Sequence, residues 1–156
     1  MAARRQPAPH CDRLVVGLGN PGPEYERTRH NAGYLVVREL ARRHGFPRAG
    51  RGYEGRFAIG SIAGLAVAML QPTTWMNDSG RSVAAALRAL GLPHDRSLVV
   101  HDHIDLPFGR LRLTPDGGSG GHNGLKSITG LIGADYHRLR VGVDRPASYD
   151  TDVVAA

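Results

Sequence analysis

A chain of 156 residues, 41% hydrophobic and with a formal charge of +6, is long enough to bury one core and too short for two comfortable domains. Its single cysteine, Cys11, excludes an intrachain disulfide, and no apolar run approaches the roughly 20 residues that a membrane helix requires, so the reading is a soluble, cytoplasmic protein with no membrane partner. All but one of its twenty basic residues are arginine, whose planar fork fits phosphate. An anionic partner is implied, nucleic acid first, although an arginine-rich surface serving only solubility has the same composition.

Met1 to Cys11 carries Arg4 and Arg5 with no apolar segment after them, which fits a disordered basic tail over 1–11 and not a secretory signal. Residues 12–156 then form the domain. Arg13 to Leu18 is an apolar run ending in glycine, a buried strand. The loop Gly19 to Glu26 follows, and Thr28 to His44 has helical spacing at Leu35, Val36, Leu40 and Ala41, with Gly45 as the stop. Thr28 is the expected N-cap, which puts His30 in the first helical turn. Tyr53–Ile59 and Leu65–Leu70 flank a glycine turn and should pair as a hairpin. A helix is expected from about Ser79 to Leu90, facing inward with Val83, Ala84, Leu87 and Leu90 and ended by Gly91. Ser97 to His101 reads as a buried strand. Gly109 to Thr114 alternates Arg110 and Arg112 with Leu111 and Leu113, as a half-exposed strand does. The loop Gly117 to Gly121 opens a helix from about Asn123 to Ile132, with Leu125, Ile128 and Ile132 inside, and Arg138 to Val143 is the last strand. Strands interleaved with helices, plus one hairpin, predict a single α/β domain around a mixed, mainly parallel twisted sheet flanked by helices.

Four constellations carry chemistry. Gly17-x-Gly19-x-x-Gly22 matches the dinucleotide fingerprint in letters only. Pro21 and Pro23 delay the helix that would meet the pyrophosphate, and Glu39 lies inside a helix, not after a second strand. Gly120-Gly121-His122-Asn123-Gly124-Leu125-Lys126 fails as a nucleotide loop because Leu125 separates the lysine from the glycine. Glycine-exposed amides at a helix start still suit an anion or oxyanion. His101-x-His103-x-Asp105 resembles a first ligand set for a two-metal hydrolase, with both histidines on one face of an extended segment, but Leu106 stands where a further histidine would be needed. Thr28-Arg29-His30-Asn31-Ala32-Gly33, close after the glycine loop, brings an imidazole and carboxamides to a strand end. His30 can carry a proton near neutral pH, and Asp102, at the end of another strand, can accept from it and fix its tautomer. That pattern suits hydrolysis without a metal.

Taken together the segments resemble the bacterial-type peptidyl-tRNA hydrolase family. The matching pieces are Val16 to Gly22 with Tyr25; Thr28 to Gly33; Pro72 to Gly80; His101-Asp102 through Pro107; Gly120 to Lys126; and Arg138 to Gly142, in the family's order from about Leu14 to Val143. The resemblance implies cleavage, without cofactor, of the ester between a peptide and tRNA, by a monomer that takes peptidyl-tRNA and not DNA. It implies His30 as general base and Asp102 as its orienting partner. Asn20 and Asn77 would hold the substrate backbone and the 3′ nucleotide region, Asn123 a water or the ester, and Met76 and Tyr25 the pocket wall. In this sequence His103 stands where the family commonly has an acidic residue. Thr114 stands where it often has a phosphate-clamping lysine, leaving Arg112 or Arg140 to serve. The resemblance further implies a C-terminal helix that Asp150 to Ala156 cannot supply. A non-catalytic RNA-binding relative and a metal-dependent hydrolase built on His101, His103 and Asp105 are the alternatives.

Overall fold

Leu14 and Val16 point into the core from β1 (Arg13–Gly17), which becomes a central strand because it finds a parallel partner on each side. The computed structural model describes residues 10–25, 28–115 and 121–143. After β1 come α1 (Ala32–Arg43), β2 (Gly50–Gly52), β3 (Gly55–Ile62), β4 (Leu65–Pro72), α2 (Ser79–Leu90), β5 (Ser97–His103), β6 (Leu111–Thr114), α3 (Asn123–Ile132) and β7 (His137–Gly142), with short 3-10 turns between. The seven strands form one sheet in the order β2-β3-β4-β1-β5-β7-β6. Neighbours among β4, β1, β5 and β7 are parallel, while β2, β3 and β6 add antiparallel margins. This is the expected single α/β domain with a mixed sheet.

Two apolar layers hold it together. On one face α2 and α3 pack on the sheet through Val83, Leu87, Leu125 and Ile128 against Leu14, Val16, Leu70 and Val99. On the other, α1 sets Val37 against Met69 and Val100. Full burial of each such side chain stabilises by roughly 1.5–3 kcal/mol before entropy is counted. Parallel strands joined by crossovers bring their carboxyl ends to one edge, where open α/β sheets place their ligands. Gly17, Asp102 and Gly142 stand there.

Two glycines fix how α1 meets that edge. A Cβ on Gly33 would lie 2.3 Å from the Val100 carbonyl oxygen and 2.5 Å from the Leu18 nitrogen, and one on Gly17 would lie 2.4 Å from the Gly33 oxygen. Helix and strand backbones therefore touch, and the residues just before Ala32 are carried over the strand ends.

Several elements differ from the sequence expectation. Thr28 does not cap α1. Its hydroxyl donates to the Tyr25 carbonyl at 2.8 Å, and His30 lies in a 3-10 turn (Arg29–Asn31) ahead of the helix. Leu35 is 45% exposed, because the contact of Gly33 with the sheet turns Gly33, Tyr34 and Val37 inward instead. β5 runs on through Asp102 and His103, which pair with Val141 and Gly142 of β7. β2 was not foreseen, since Gly50-Arg51-Gly52 has no apolar period. Leu111 and Leu113 are 59% and 64% exposed: α1 covers β4, β1 and β5, leaving the leucines of edge strand β6 uncovered, with Leu113 on the lining of a groove of about 690 Å³. The expected basic tail over most of its length, Glu26, Gly117 to Gly120 and the segment Asp150 to Ala156, with the terminal helix it was expected to lack, fall outside the described residues.

Candidate active site

The 3-10 turn ahead of α1 delivers His30 to the carboxyl end of β5, where its Nδ1 donates to Asp102 Oδ2 at 2.8 Å. Both groups are enclosed, with side-chain exposures of 11% and 4%. A carboxylate accepts only, so Nδ1 carries the hydrogen and Nε2 is the basic atom. Burial alone would raise the Asp102 pKa, but hydrogen bonds from His122 and His30 outweigh it and hold the carboxyl below the ordinary carboxylate range. His122 is the partner that the sequence reading missed. In the sequence it marks only a loop at a helix start, yet its Nε2 donates to Asp102 Oδ1 at 2.7 Å from 20 residues away.

Next to the pair lies a third imidazole. His101 donates from Nδ1 to the Asp102 backbone carbonyl at 2.8 Å, and its Nε2 is buried without a hydrogen-bond partner among the described residues. Burial pushes its pKa down to about 3, with the neighbouring His122 adding to the effect. His101 is thus held neutral as a wall of the site. The rings of His101 and His103 stand 6.4 Å apart and perpendicular, with His101 Nδ1 turned to a carbonyl. The metal alternative on His101, His103 and Asp105 therefore lacks converging donors. Among the described residues, the histidine and acidic side chains whose donor atoms do converge, within 4.8 Å, are His30, Asp102 and His122. There one nitrogen of each ring faces a carboxylate oxygen at 2.7–2.8 Å, a spacing that a proton fills.

The expected binding residues surround this centre in different ways. Asn20 and Asn31 clasp each other: Asn20 N–H donates to Asn31 Oδ1 at 2.8 Å and Asn31 Nδ2 donates to the Asn20 carbonyl at 3.0 Å. Asn20 Oδ1 then accepts from the Met76 N–H at 2.7 Å, tying the glycine loop to the 3-10 turn Met76–Asp78. Asn31, which the sequence flagged only as a carboxamide in the motif, is a staple. Met76 is 4% exposed and packs in the core, beside the position a Gly124 Cβ would occupy. Asn77 is exposed on the same turn, and Asn123 is exposed as the first residue of α3. Tyr25 meets Trp75 edge to face at 6.1 Å, and Trp75 is 54% exposed, an open aromatic face beside the expected wall residue. Arg140 is half-buried on β7, in register with His101 of β5 and Arg112 of β6. Its Nε is buried and makes no hydrogen bond among the described residues, and the same is true of Thr114 Oγ1 nearby on β6. Two arginines thus stand opposite each other across the β6–β7 pairing where the sequence expected one clamp.

Comparison with known proteins gives a consistent answer. The family model described as peptidyl-tRNA hydrolase matches residues 14–155. A peptidyl-tRNA hydrolase of Rhodospirillum centenum is 52% identical over 136 residues, covering 87% of this chain and 60% of that protein. One from Rhodopseudomonas palustris (strain BisB18) is 52% identical over 138 residues, covering 87% and 68%. The crystal structure of peptidyl-tRNA hydrolase from Acinetobacter baumannii superposes with a TM-score of 0.84 at 41% identity, covering 91% of this chain and 74% of that one. The chain spans about 60% of the length of the first of these relatives.

Proposed function

The chain belongs to the peptidyl-tRNA hydrolase family, and from that premise we propose that it hydrolyses the ester joining the carboxyl end of a peptide, or of an N-blocked amino acid, to the terminal ribose of tRNA. The observation that carries this reading is the His30–Asp102 hydrogen bond at 2.8 Å, with His30 Nε2 left as the basic nitrogen at the sheet's carboxyl edge. His30 Nε2 takes a proton from water as the water oxygen attacks the ester carbonyl. The tetrahedral intermediate collapses by breaking the bond to the ribose oxygen, which receives that proton, and the products are tRNA and a carboxylic acid that releases its remaining proton to solvent as the free carboxylate. Asp102 keeps His30 in the Nδ1–H tautomer and stabilises the imidazolium formed in between. A positioned base contributes roughly 10²- to 10⁴-fold, which suits a reactive ester.

In this reading Asn123, at the start of α3, positions the water or the ester, and Asn77 and Asn20 hold the substrate near its 3′ end. Tyr25 borders the peptide side, while Met76 supports the wall from the core. Arg140, with Arg112, takes tRNA phosphate in place of the lysine absent at Thr114. The enzyme works on peptidyl-tRNA as a cytoplasmic monomer without cofactor. Among the described residues no helix is long and apolar enough to cross a membrane. The test is release of an N-blocked amino acid from tRNA by the purified chain, with and without chelator. Turnover unaffected by chelation supports the reading, and absence of turnover overturns it.

A further inference from the structure

Asp102 has two carboxylate oxygens, and each accepts from a different imidazole. General-base chemistry needs only the bond to His30. The second, from His122 Nε2 at 2.7 Å, has no part in it so far. The other nitrogen of His122 explains its placement. Nδ1 accepts from the backbone N–H of Gly124 at 3.1 Å and of Leu125 at 3.3 Å, so His122 is the N-cap of α3. A ring nitrogen that accepts carries no hydrogen, so the hydrogen must sit on Nε2, facing the carboxylate. The two contacts demand the same tautomer. A second proton would have to enter at Nδ1, against two N–H donors and the positive end of a helix, and would break the cap.

The rings of His30 and His101 lie 4.9 and 5.0 Å from that of His122. His101 is buried and already donates to the Asp102 carbonyl, and Arg140 across the β5–β7 pairing adds positive charge near it. His103, next along the strand, is disfavoured as a cation by burial and by Arg140. Of these imidazoles, His30 alone pairs a hydrogen held by the Asp102 carboxylate with a ring nitrogen that no hydrogen bond among the described residues occupies.

We propose that His122 is a positioning residue, a neutral strut between the N-terminus of α3 and Asp102 that sets the carboxylate's rotation toward His30 and ensures that the proton taken up in turnover resides on His30. The role rests on the hydrolase reading and names the residue that holds the base's partner. It also ties Asn123, the first residue of α3, to the same carboxylate.

Two variants separate the two nitrogens. His122→Asn sets a carboxamide oxygen near the place of Nδ1, an effective N-cap, and removes the donor to Asp102. His122→Gln reaches further, with an N–H toward Asp102, and gives up the cap. His122→Asn should keep its KM and melt no lower than His122→Gln, while kcat falls roughly 10- to 100-fold, the cost of misplacing a group at the reacting centre. Its acid limb of activity should also move to higher pH, because a carboxylate that no longer shares its charge favours protonated His30. His122→Gln should melt lower yet keep kcat within a few-fold. His122→Asn turning over at the wild-type rate with an unmoved pH profile, or kcat losses that simply follow the melting temperatures, would overturn the proposal. Nitrogen-15 spectra of the wild type supply a readout that does not depend on the variants. At the pH of the assay His122 should show the neutral Nε2–H form, and the Nδ1–H tautomer there overturns the lock. A wild-type chain without turnover would instead sink the hydrolase reading itself.

Discussion

His101 should make the protein acid-labile in a pH range where its carboxylates do not yet titrate. Its folded pKa is pushed down from 6.5 to about 3 by burial, whereas in the unfolded chain it titrates near the ordinary value. Below about pH 6.5 the unfolded state therefore binds a proton that the folded state refuses. Stability is fully present above that pH and drains as pH falls toward 3. One proton of difference is worth about 1.4 kcal/mol per pH unit, so between pH 7 and pH 5 the loss is about 2 kcal/mol, a large share of a small domain's margin of roughly 5–15 kcal/mol. Ordinary carboxylates contribute mainly below this window, and Asp102, whose pKa is lowered, contributes lower still. His101→Asn keeps an N–H for the Asp102 carbonyl and removes the titrating ring. Any cavity it leaves destabilises equally at every pH. Urea melts at pH 7 and pH 5 should show the wild type losing about 2 kcal/mol more than His101→Asn. Equal losses in the two proteins would refute the reasoning.

Asp102→Asn should lower kcat by less than His30→Ala, and the double variant should be little worse than His30→Ala alone, because the pair acts as a unit; a double-mutant cycle on turnover checks this, and multiplicative losses would separate the two residues. Exhaustive chelation should leave activity intact and His103→Ala should cost no more than a few-fold, whereas stoichiometric zinc with activity restored only by adding it back would return the chemistry to His101, His103 and Asp105. Gly33→Ala forces a Cβ to within 2.3 Å of the Val100 carbonyl oxygen, so α1 must lift from β1 and β5; chemical denaturation should show a loss of at least about 2 kcal/mol, with turnover falling as His30 is displaced.

Apolar period made most of the fold legible. Val83, Leu87 and Leu90 defined α2, Leu125 and Ile128 defined α3, and the hairpin of β3 and β4 followed from its glycine turn. What escaped were the features set by contacts distant in sequence. Leu35 has the spacing of a core residue, but the approach of Gly33 to the Val100 carbonyl decides which face of α1 turns inward. Thr28 has the chemistry of a cap, yet its hydroxyl bonds backward to Tyr25. The strand β5 looked finished at His101 because Asp102 and His103 are polar, and only pairing with β7 extends it. In the site, His30 and Asp102 could be paired from sequence, since one is an acceptor and the other a base and both stand near strand ends. His122 could not, because its part depends on a tautomer that becomes evident only when both ring nitrogens have visible partners. Asn20 and Asn31 carried the right chemistry for substrate contact, but no pattern indicated that each would hold the other's loop.

That His30 carries the proton is tested most directly by single-turnover cleavage of N-blocked aminoacyl-tRNA by His30→Ala, with tRNA affinity measured in parallel. The rate should fall by at least about 100-fold, and tRNA affinity should stay within a few-fold, because binding comes from arginines and backbone donors. Cleavage at the wild-type rate by His30→Ala would contradict the assignment of His30 as the base.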